Sequence, residues 1–280
     1  MWQIEDFLSR ILIGVPMTIA HPSSVGKVVV VSILAAFGFP YTAVAVPEKV
    51  LLGGGAGIAL DGSLCTLTTI GHNKIGELIG FTSAHCGGLG ATVAAEDAAG
   101  EVGRVVATNE TLDYAVIKFD PSRLTPIPDF DGFTISGIGE DPPLLHTPCM
   151  ERRASVHIPT GEICVDLVYP DQYQMSCKQS RATGRTCTDI VGPGRDPATL
   201  LARECGNPDD SGAPVTIGNM LIGMIRGGFV ASTPCPLPGN EINPAPKFLP
   251  SAEPEIVSIN AIIADAAKGG PGDGFVPISS

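Results

Sequence analysis

Three short segments carry the residue types that acyl transfer by a hydroxyl requires: a nucleophile, a base and an anion that orients the base. His85 stands beside Cys86 at the end of a probable strand, and Asp113 opens a second apolar strand. Ser211 lies in the glycine- and aspartate-containing segment 205–214. Taken singly, a strand-end histidine and a turn aspartate have plain structural interpretations. Taken together, the segments predict a Ser–His–Asp triad that attacks a carbonyl carbon.

The amino-acid sequences of these segments resemble the catalytic motifs of the chymotrypsin-like serine peptidases. Segment 82–86, Thr-Ser-Ala-His-Cys, is similar to the T-A-A-H-C setting of their base, and the Asp-Ser-Gly of segment 205–214 is similar to their G-D-S-G-G loop. The chain order His85, Asp113, Ser211 matches this family and differs from the order in subtilisins and α/β-hydrolases. The resemblance implies that these three residues are catalytic, with a peptide or protein as substrate.

The eight cysteines resemble those of one bacterial branch, the α-lytic protease and streptogrisin group. The shared features are the loop from Cys177 to Cys187, a cysteine six residues before Ser211 and a cysteine downstream of it. The resemblance implies the bridges Cys65–Cys86, Cys177–Cys187 and Cys205–Cys235, and it leaves Cys149 to pair with Cys164. An even number of cysteines in an exported chain is typical of such a disulfide framework.

Within the same branch, a basic residue after the first cysteine of the 177–187 loop pairs with the aspartate before the nucleophile. The resemblance therefore implies a supporting pair of Lys178 with Asp210, the alternative being a solvated surface lysine. It also implies an oxyanion hole formed by the N–H groups of Asp209 and Ser211. Position 209 is glycine in the family, and a carboxylate there would oppose developing negative charge.

The segment 224–228 resembles the S-G-G stretch that pairs with the substrate backbone in the family. Gly227 and Gly228 leave room for such pairing. Arg226 replaces the serine, and the sequence alone leaves open whether its guanidinium crowds Asp113 or offsets Asp209. These departures keep a second hypothesis open, in which the protein has a protease fold but binds a peptide or partner with little or no catalysis.

The composition favours an all-β fold that would hold these segments in place. The chain of 280 residues contains 34 glycines and 25 prolines but only 16% charged residues, which suits short strands joined by tight turns. Probable hairpins join 65–70 to 78–83 and 102–107 to 112–119, and further strands are predicted at 57–60, 133–138 and 155–158. An amphipathic pattern predicts one helix at 252–268.

The resemblance implies that these strands form two antiparallel six-stranded β-barrels of the chymotrypsin type, at about residues 50–125 and 126–250. The C-terminal helix would follow the second barrel. The whole protease domain is expected to span residues 46–268, with residues 269–280 as a tail. The triad would lie in the cleft between the barrels, with His85 and Asp113 from the first and Ser211 from the second. A monomer is expected.

The beginning of the chain is typical of an export signal. Lys27 precedes the apolar run 28–39, and Ala43-Val44-Ala45 follows as a cleavage sequence, so residues 1–45 are predicted to be a signal peptide, with Met17 as an alternative start. The alternative of a membrane anchor is disfavoured because twelve apolar residues are too few to span a bilayer. The mature protein is therefore expected to be secreted and extracellular.

Charge and motif content disfavour several other classes of function. A net charge of −12 opposes binding to nucleic acid or to anionic lipid. The sequence contains no C-x-x-C pair and no H-E-x-x-H segment, so neither a metal nor a cofactor is expected. The trypsin-like preference for Lys or Arg is not supported either, since position 205 is a cysteine rather than an aspartate.

Overall fold

The computed structural model describes residues 49–142, 153–158, 161–166, 175–194, 196–202, 206, 208–227, 255–268 and 270–279. All of these belong to one compact unit that begins at Val46. The predicted signal peptide lies outside the described residues. Among those residues, no helix is both long and apolar enough to cross a bilayer.

Strands make up most of the described chain. The strands before residue 140 are β1 Val50–Leu52, β2 Gly57–Leu60, β3 Ser63–Thr66, β4 Thr69–His72, β5 Leu78–Ser83, β6 Thr92–Ala95, β7 Glu101–Asn109, β8 Tyr114–Phe119, β9 Leu124–Pro126, β10 Asp129–Phe130, β11 Phe133–Thr134 and β12 Gly137–Ile138. The later elements are β13 Arg153–Ile158, β14 Gly161–Asp166, β15 Met175–Ser180, β16 Gly184–Pro193, β17 Thr199–Ala202, β18 Pro214–Ile217, β19 Met220–Gly227, β20 Glu255–Ser258, helix α1 Ile259–Ala266 and β21 Val276–Pro277.

The first large sheet contains eight strands in the order β21-β4-β5-β8-β7-β6-β2-β3. Its core is a cluster of fully buried aliphatic side chains that includes Ile58, Leu60, Leu67, Val93 and Ile117. Both predicted hairpins are present, since β4 pairs with β5 and β7 pairs with β8, each antiparallel. The residues at 65–66 belong instead to β3, and residues 67–68, which are in neither strand, separate β3 from β4.

The second large sheet contains seven strands in the order β12-β19-β18-β15-β16-β17-β20, and β19 pairs with β20 as well. That extra pairing curls the sheet, and its interior holds Val215, Ile222, Ile225 and Ile256. The all-β class with two curled sheets and one short helix is thus confirmed. Among the described residues, the two sheets have eight and seven strands rather than six.

The C-terminal helix is shorter than its predicted span of 252–268. Residues 255–258 form β20, in which Ile256 and Val257 pair with both β17 and β19. Two β-branched side chains that are buried on both faces of a sheet favour a strand over a helix. Helix α1 begins only after Ser258, whose side chain accepts a hydrogen bond from the N–H of Ala261 as an N-cap.

Residues 270–279, predicted to be a tail, are packed against the first sheet. Strand β21 adds to the edge of β4, and the Ile278 N–H donates to the Ile70 carbonyl at 2.9 Å. The Phe275 ring lies edge-on to Phe81 with ring centroids 4.9 Å apart. A buried aromatic ring and an exposed strand edge that gains a partner explain why this segment does not extend into solvent.

Candidate active site

Two of the three predicted triad residues are joined by paired hydrogen bonds. The His85 ring Nδ1 lies 2.7 Å from Asp113 Oδ2, and the His85 backbone N–H donates to Asp113 Oδ1 at 3.0 Å. The carboxylate is buried, with 10% of its side chain exposed, whereas the imidazole is 49% exposed. A carboxylate that accepts from Nδ1 fixes the tautomer in which Nε2 is free to accept a proton.

Neighbouring strands bring His85 and Asp113 to the same end of the first sheet. Because β5 pairs with β8 and Ser83 lies opposite Tyr114, the residues just after β5 and just before β8 are adjacent. Asp113 has a φ of +52°, in the left-handed region that aspartate enters more readily than most residues. Its carbonyl accepts a hydrogen bond from the Ala84 N–H at 3.1 Å, which joins the two segments a second time.

The charges around the imidazole raise the pKa of His85 above its usual 6.5. The hydrogen bond to Asp113 is the largest cause, and partial burial opposes it. The positive charge of Arg226 lowers the pKa of His85, and the negative charge of Glu110 raises it, both by smaller amounts. The imidazole is therefore neutral, and able to act as a base, only above this raised pKa.

Ser211 lies just after a short 3₁₀ turn, Pro208–Asp210, and before β18. Its hydroxyl donates to the Pro208 carbonyl at 2.8 Å, and its backbone N–H donates to the same oxygen at 3.2 Å. The side chain is thus turned toward its own loop rather than bonded to the imidazole. Both of the Ser211 groups that the predicted mechanism uses are occupied by one acceptor in this conformation.

Hydrogen bonds from the first sheet hold the Ser211 loop in place. The Ser211 carbonyl accepts from the Thr66 N–H at 2.9 Å, and the Gly212 carbonyl accepts from the Thr68 hydroxyl at 2.7 Å. Gly212 has a φ of +85°, and a Cβ there would lie 2.2 Å from the Thr66 carbonyl oxygen. Glycine at 212 is therefore required both by its backbone conformation and by the close approach of β3.

His85 and Ser211 line one cavity of about 380 Å³. Pro208 and Gly227 form part of the wall, and Leu64 together with the Cys65–Cys86 disulfide forms an apolar side. The structure thus brings the predicted base and the predicted nucleophile, which are far apart in sequence, to a shared surface that is large enough for a side chain of a bound peptide.

A buried ion pair lies directly behind Ser211. Lys178 Nζ is 3.2 Å from Asp210 Oδ2, and neither side chain has any exposed surface. The Asp210 carboxylate also accepts from the hydroxyls of Ser180 at 2.5 Å and Thr183 at 2.8 Å. The resemblance implied the Lys178 contact but not the two hydroxyls, which the hairpin of β15 and β16 brings into position.

Arg181 is a further residue of the site that the sequence did not indicate. One of its guanidinium nitrogens lies 3.0 Å from Asp209 Oδ2, and the others bind the Glu96 carboxylate. The Arg181 side chain is only 14% exposed, although it carries a charge. The three residues are distant in sequence and no local motif links them, so only the packing of the β15–β16 hairpin against the first sheet could show their contact.

The segment 224–228, which the resemblance predicts to pair with substrate, is described as far as Gly227. The Arg226 guanidinium lies 3.0 Å from an Asp196 carboxylate oxygen and 3.6 Å from one of Glu255. Two carboxylates therefore engage the charge whose role the sequence left open. Gly227, at the end of β19, has a φ of +137° and open space where a Cβ would lie. Gly228 lies outside the described residues.

Two of the four expected disulfides are present. Cys65 is bonded to Cys86 and anchors the turn that carries His85 to β3. Cys177 is bonded to Cys187 across the paired strands β15 and β16. The expected bridges Cys149–Cys164 and Cys205–Cys235 involve residues or side chains that lie outside the described part of the chain.

The two curled sheets, with a histidine–aspartate pair and a serine at their junction, define the chymotrypsin-like serine protease fold. Solved structures of bacterial proteases share this fold at low sequence identity. Thermobifida fusca Protease A is 14% identical with a TM-score of 0.55, and the alignment covers 82% of this chain and all of that one. Nocardiopsis protease is 15% identical with a TM-score of 0.51 and the same coverage.

Two further structures agree. A serine protease described as specific for glutamic acid is 15% identical with a TM-score of 0.53, and it is matched over 82% of this chain and 100% of its own. An α-lytic protease homologue, N4, is 18% identical with a TM-score of 0.51, over 77% and 97% of the two chains. No protein-family model and no curated protein matches the chain. The likeness at this level of identity establishes the fold.

Proposed function

We propose that the protein is a serine endopeptidase that hydrolyses peptide bonds through an acyl-enzyme. The proposal is carried by one observation, the hydrogen bond of 2.7 Å between His85 and Asp113 in a cavity that Ser211 also lines. The protease fold adds support, because the solved structures that share it are serine proteases. In this proposal His85 is the base, Asp113 orients it and Ser211 is the nucleophile.

The proposed reaction begins when the Ser211 hydroxyl leaves the Pro208 carbonyl and donates to His85 Nε2. As the Ser211 oxygen bonds to the substrate carbonyl carbon, its proton passes to Nε2, and Asp113 stabilises the imidazolium. The imidazolium then gives the proton to the departing amine as the C–N bond breaks. Water repeats the same steps on the acyl-enzyme and releases the acid.

Developing charge on the carbonyl oxygen is assigned to the N–H groups of Asp209 and Ser211. In this proposal Gly227 and Gly228 pair with the substrate backbone, beside Arg226. Lys178 and Asp210 take a supporting role, since their ion pair fixes the backbone immediately before the nucleophile. Neither a metal nor a cofactor takes part.

The same proposal assigns the protein to the extracellular space after removal of residues 1–45. Its support is the pair of disulfides, Cys65–Cys86 and Cys177–Cys187, because such bonds persist in oxidising compartments. The substrate is then an extracellular peptide or protein, and the working form is a monomer.

A fluorophosphonate probe tests the proposed nucleophile directly. We expect one probe to attach per folded molecule, at Ser211 by peptide mass mapping, and labelling to vanish in Ser211→Ala. Ser63→Ala is a matched control, since Ser63 lines the same cavity but has no role in the reaction and should leave labelling intact. Protein that is folded by circular dichroism yet stays unlabelled at high probe concentration would reject the enzyme.

A second candidate function is peptide or partner binding with little catalysis. One observation favours it: the Pro208 carbonyl occupies both the hydroxyl and the N–H of Ser211. Calorimetry with the Ser211→Ala variant and a peptide library would detect such binding. Peptide binding by a wild-type protein that does not react with the fluorophosphonate probe would favour this candidate over the peptidase.

A further inference from the structure

The oxyanion loop, residues 208–211, has a conformation that cannot stabilise an oxyanion. An oxyanion hole needs N–H donors aimed at the site where negative charge develops. Here the Ser211 N–H is bonded to the Pro208 carbonyl at 3.2 Å, inside the 3₁₀ turn. The Pro208–Asp209 peptide therefore presents its oxygen to Ser211, and acylation requires this peptide to rotate.

An ion pair holds the side chain of Asp209, and a hydrogen bond holds its backbone. Its carboxylate pairs with Arg181 at 3.0 Å, and Arg181 is itself held by Glu96. The Thr66 hydroxyl donates to the Asp209 carbonyl at 3.4 Å and accepts from the Arg181 backbone N–H at 3.2 Å. These contacts connect the oxyanion loop to the β15–β16 hairpin and to β3. They favour the orientation in which the Pro208 carbonyl oxygen faces Ser211, which we call closed; in the open orientation the Asp209 N–H faces the site of the oxyanion.

The open orientation carries a cost at the same residue. Rotation of a peptide changes the φ of the residue that follows it, and in a tight turn a rotated central peptide leaves that following residue with a positive φ. That residue is Asp209, whose φ is not positive in this structure. Aspartate tolerates the left-handed region less well than glycine does, and the difference corresponds to about a tenfold change in population. Position 209 therefore disfavours opening through its backbone as well as through its ion pair.

From these contacts we infer that the oxyanion loop is a two-state element, that the structure describes its closed state, and that Arg181 and Asp209 are positioning residues that set the closed population. The inference rests on the proposed peptidase function, because opening matters for the acylation of Ser211. The donors of the open loop bind the oxyanion that forms during acylation and not the ground-state carbonyl, so the closed population lowers kcat and leaves KM nearly unchanged. The chain is thus a peptidase of low resting activity.

The comparison of Asp209→Gly with Asp209→Ala tests the backbone part of this inference. Both variants lose the carboxylate and its pair with Arg181, but only glycine adopts a positive φ freely. We expect kcat for a peptide ester to be about tenfold higher in Asp209→Gly than in Asp209→Ala, with little change in KM. If the carboxylate acted only by repelling the oxyanion, the two variants would be equally fast, and that result would overturn the inference.

The ion-pair part is tested with Arg181→Gln. Partly exposed ion pairs stabilise a conformation by about two- to fivefold in population, so kcat should rise by about that factor. Added salt should raise the wild-type rate toward that of the variant, because salt screens the pair. Arg104→Gln is a matched control, since Arg104 forms a half-exposed pair with Glu101 away from the oxyanion loop. An unchanged or lower rate in Arg181→Gln would contradict the assigned role.

Amide hydrogen exchange provides a readout that does not depend on activity. The Ser211 N–H should be protected in the wild type and should exchange faster in Asp209→Gly than in Asp209→Ala. If no variant reacts with the fluorophosphonate probe, the proposed function fails, while this difference in exchange would still support a two-state loop. If the probe labels Ser211 and the exchange of the two variants is equal, the function stands and the inference fails.

Discussion

The buried pair behind the nucleophile gives a quantitative prediction for Lys178→Met. Removal of one partner from a buried pair typically destabilises a protein by about 3–5 kcal/mol, because the other charge stays buried. Asp210 keeps two hydroxyl donors, from Ser180 and Thr183, so we expect the lower end, about 3 kcal/mol. Both side chains of the pair are 0% exposed, so water cannot replace the lost ammonium without rearrangement.

Urea denaturation under oxidising conditions measures this loss. With an m-value of about 3 kcal/mol/M, the midpoint should fall by about 1 M. The double variant Lys178→Met/Asp210→Asn should recover most of the stability, because it removes both charges. Lys118→Met is the matched control: Lys118 pairs with Glu77 at a half-exposed site and should cost less than about 1 kcal/mol. A loss below about 1 kcal/mol in Lys178→Met would refute the reasoning.

Three further predictions concern the base, the C-terminal segment and the nucleophile loop. Arg226 lowers the pKa of His85 and Glu110 raises it. Arg226→Gln should therefore shift the acidic limb of the kcat/KM profile to higher pH, and Glu110→Gln should shift it to lower pH. Shifts of both variants in the same direction would contradict this. Phe275→Ala should lower the free energy of unfolding by about 3 kcal/mol in urea titrations, because the ring is buried against Phe81. A much smaller loss would show that the ring is solvated. Gly212→Ala should prevent probe labelling and lower the thermal midpoint, and a fully active variant would show that the Thr66 carbonyl can move.

The pH dependence of stability follows from the same histidine. The folded-state pKa of His85 is raised above its usual 6.5, so the pair with Asp113 stabilises the fold fully below the unfolded value. This contribution is lost as pH rises through the higher folded-state pKa. Stability and activity thus respond to His85 in opposite directions, because catalysis needs the neutral imidazole and the ion pair needs the charged one.

Short-range pattern was enough for much of the fold. Apolar runs on either side of clear turns predicted both hairpins of the first sheet, and the resemblance of the motifs to those of a known family placed His85 and Asp113 together on the first barrel. Period alone was ambiguous at 255–258, because Ile256 also continues the apolar helix face formed by Ile259 and Ile262. Only the gap between β17 and β19, which is a tertiary feature, selects a strand there.

The contacts that decide the state of the site were not predictable from local sequence. The departure from glycine at Asp209 was visible, and its charge was expected to act on the oxyanion directly. The structure pairs that charge with Arg181, which comes from a hairpin 28 residues earlier. Nothing in the sequence near either residue specifies the pairing, because it depends on how the second sheet packs against β3.

Strand β21 also has a consequence for the order in which the chain can fold. Asn73, at the end of β4, donates to the carbonyl of Pro271, which is synthesised 198 residues later. Until the ribosome has made that distant segment, the rim of the first sheet lacks its final partner, and its unpaired amides are open to association with other nascent chains. The rim of the first sheet is therefore completed only after residues 271–278 have been synthesised.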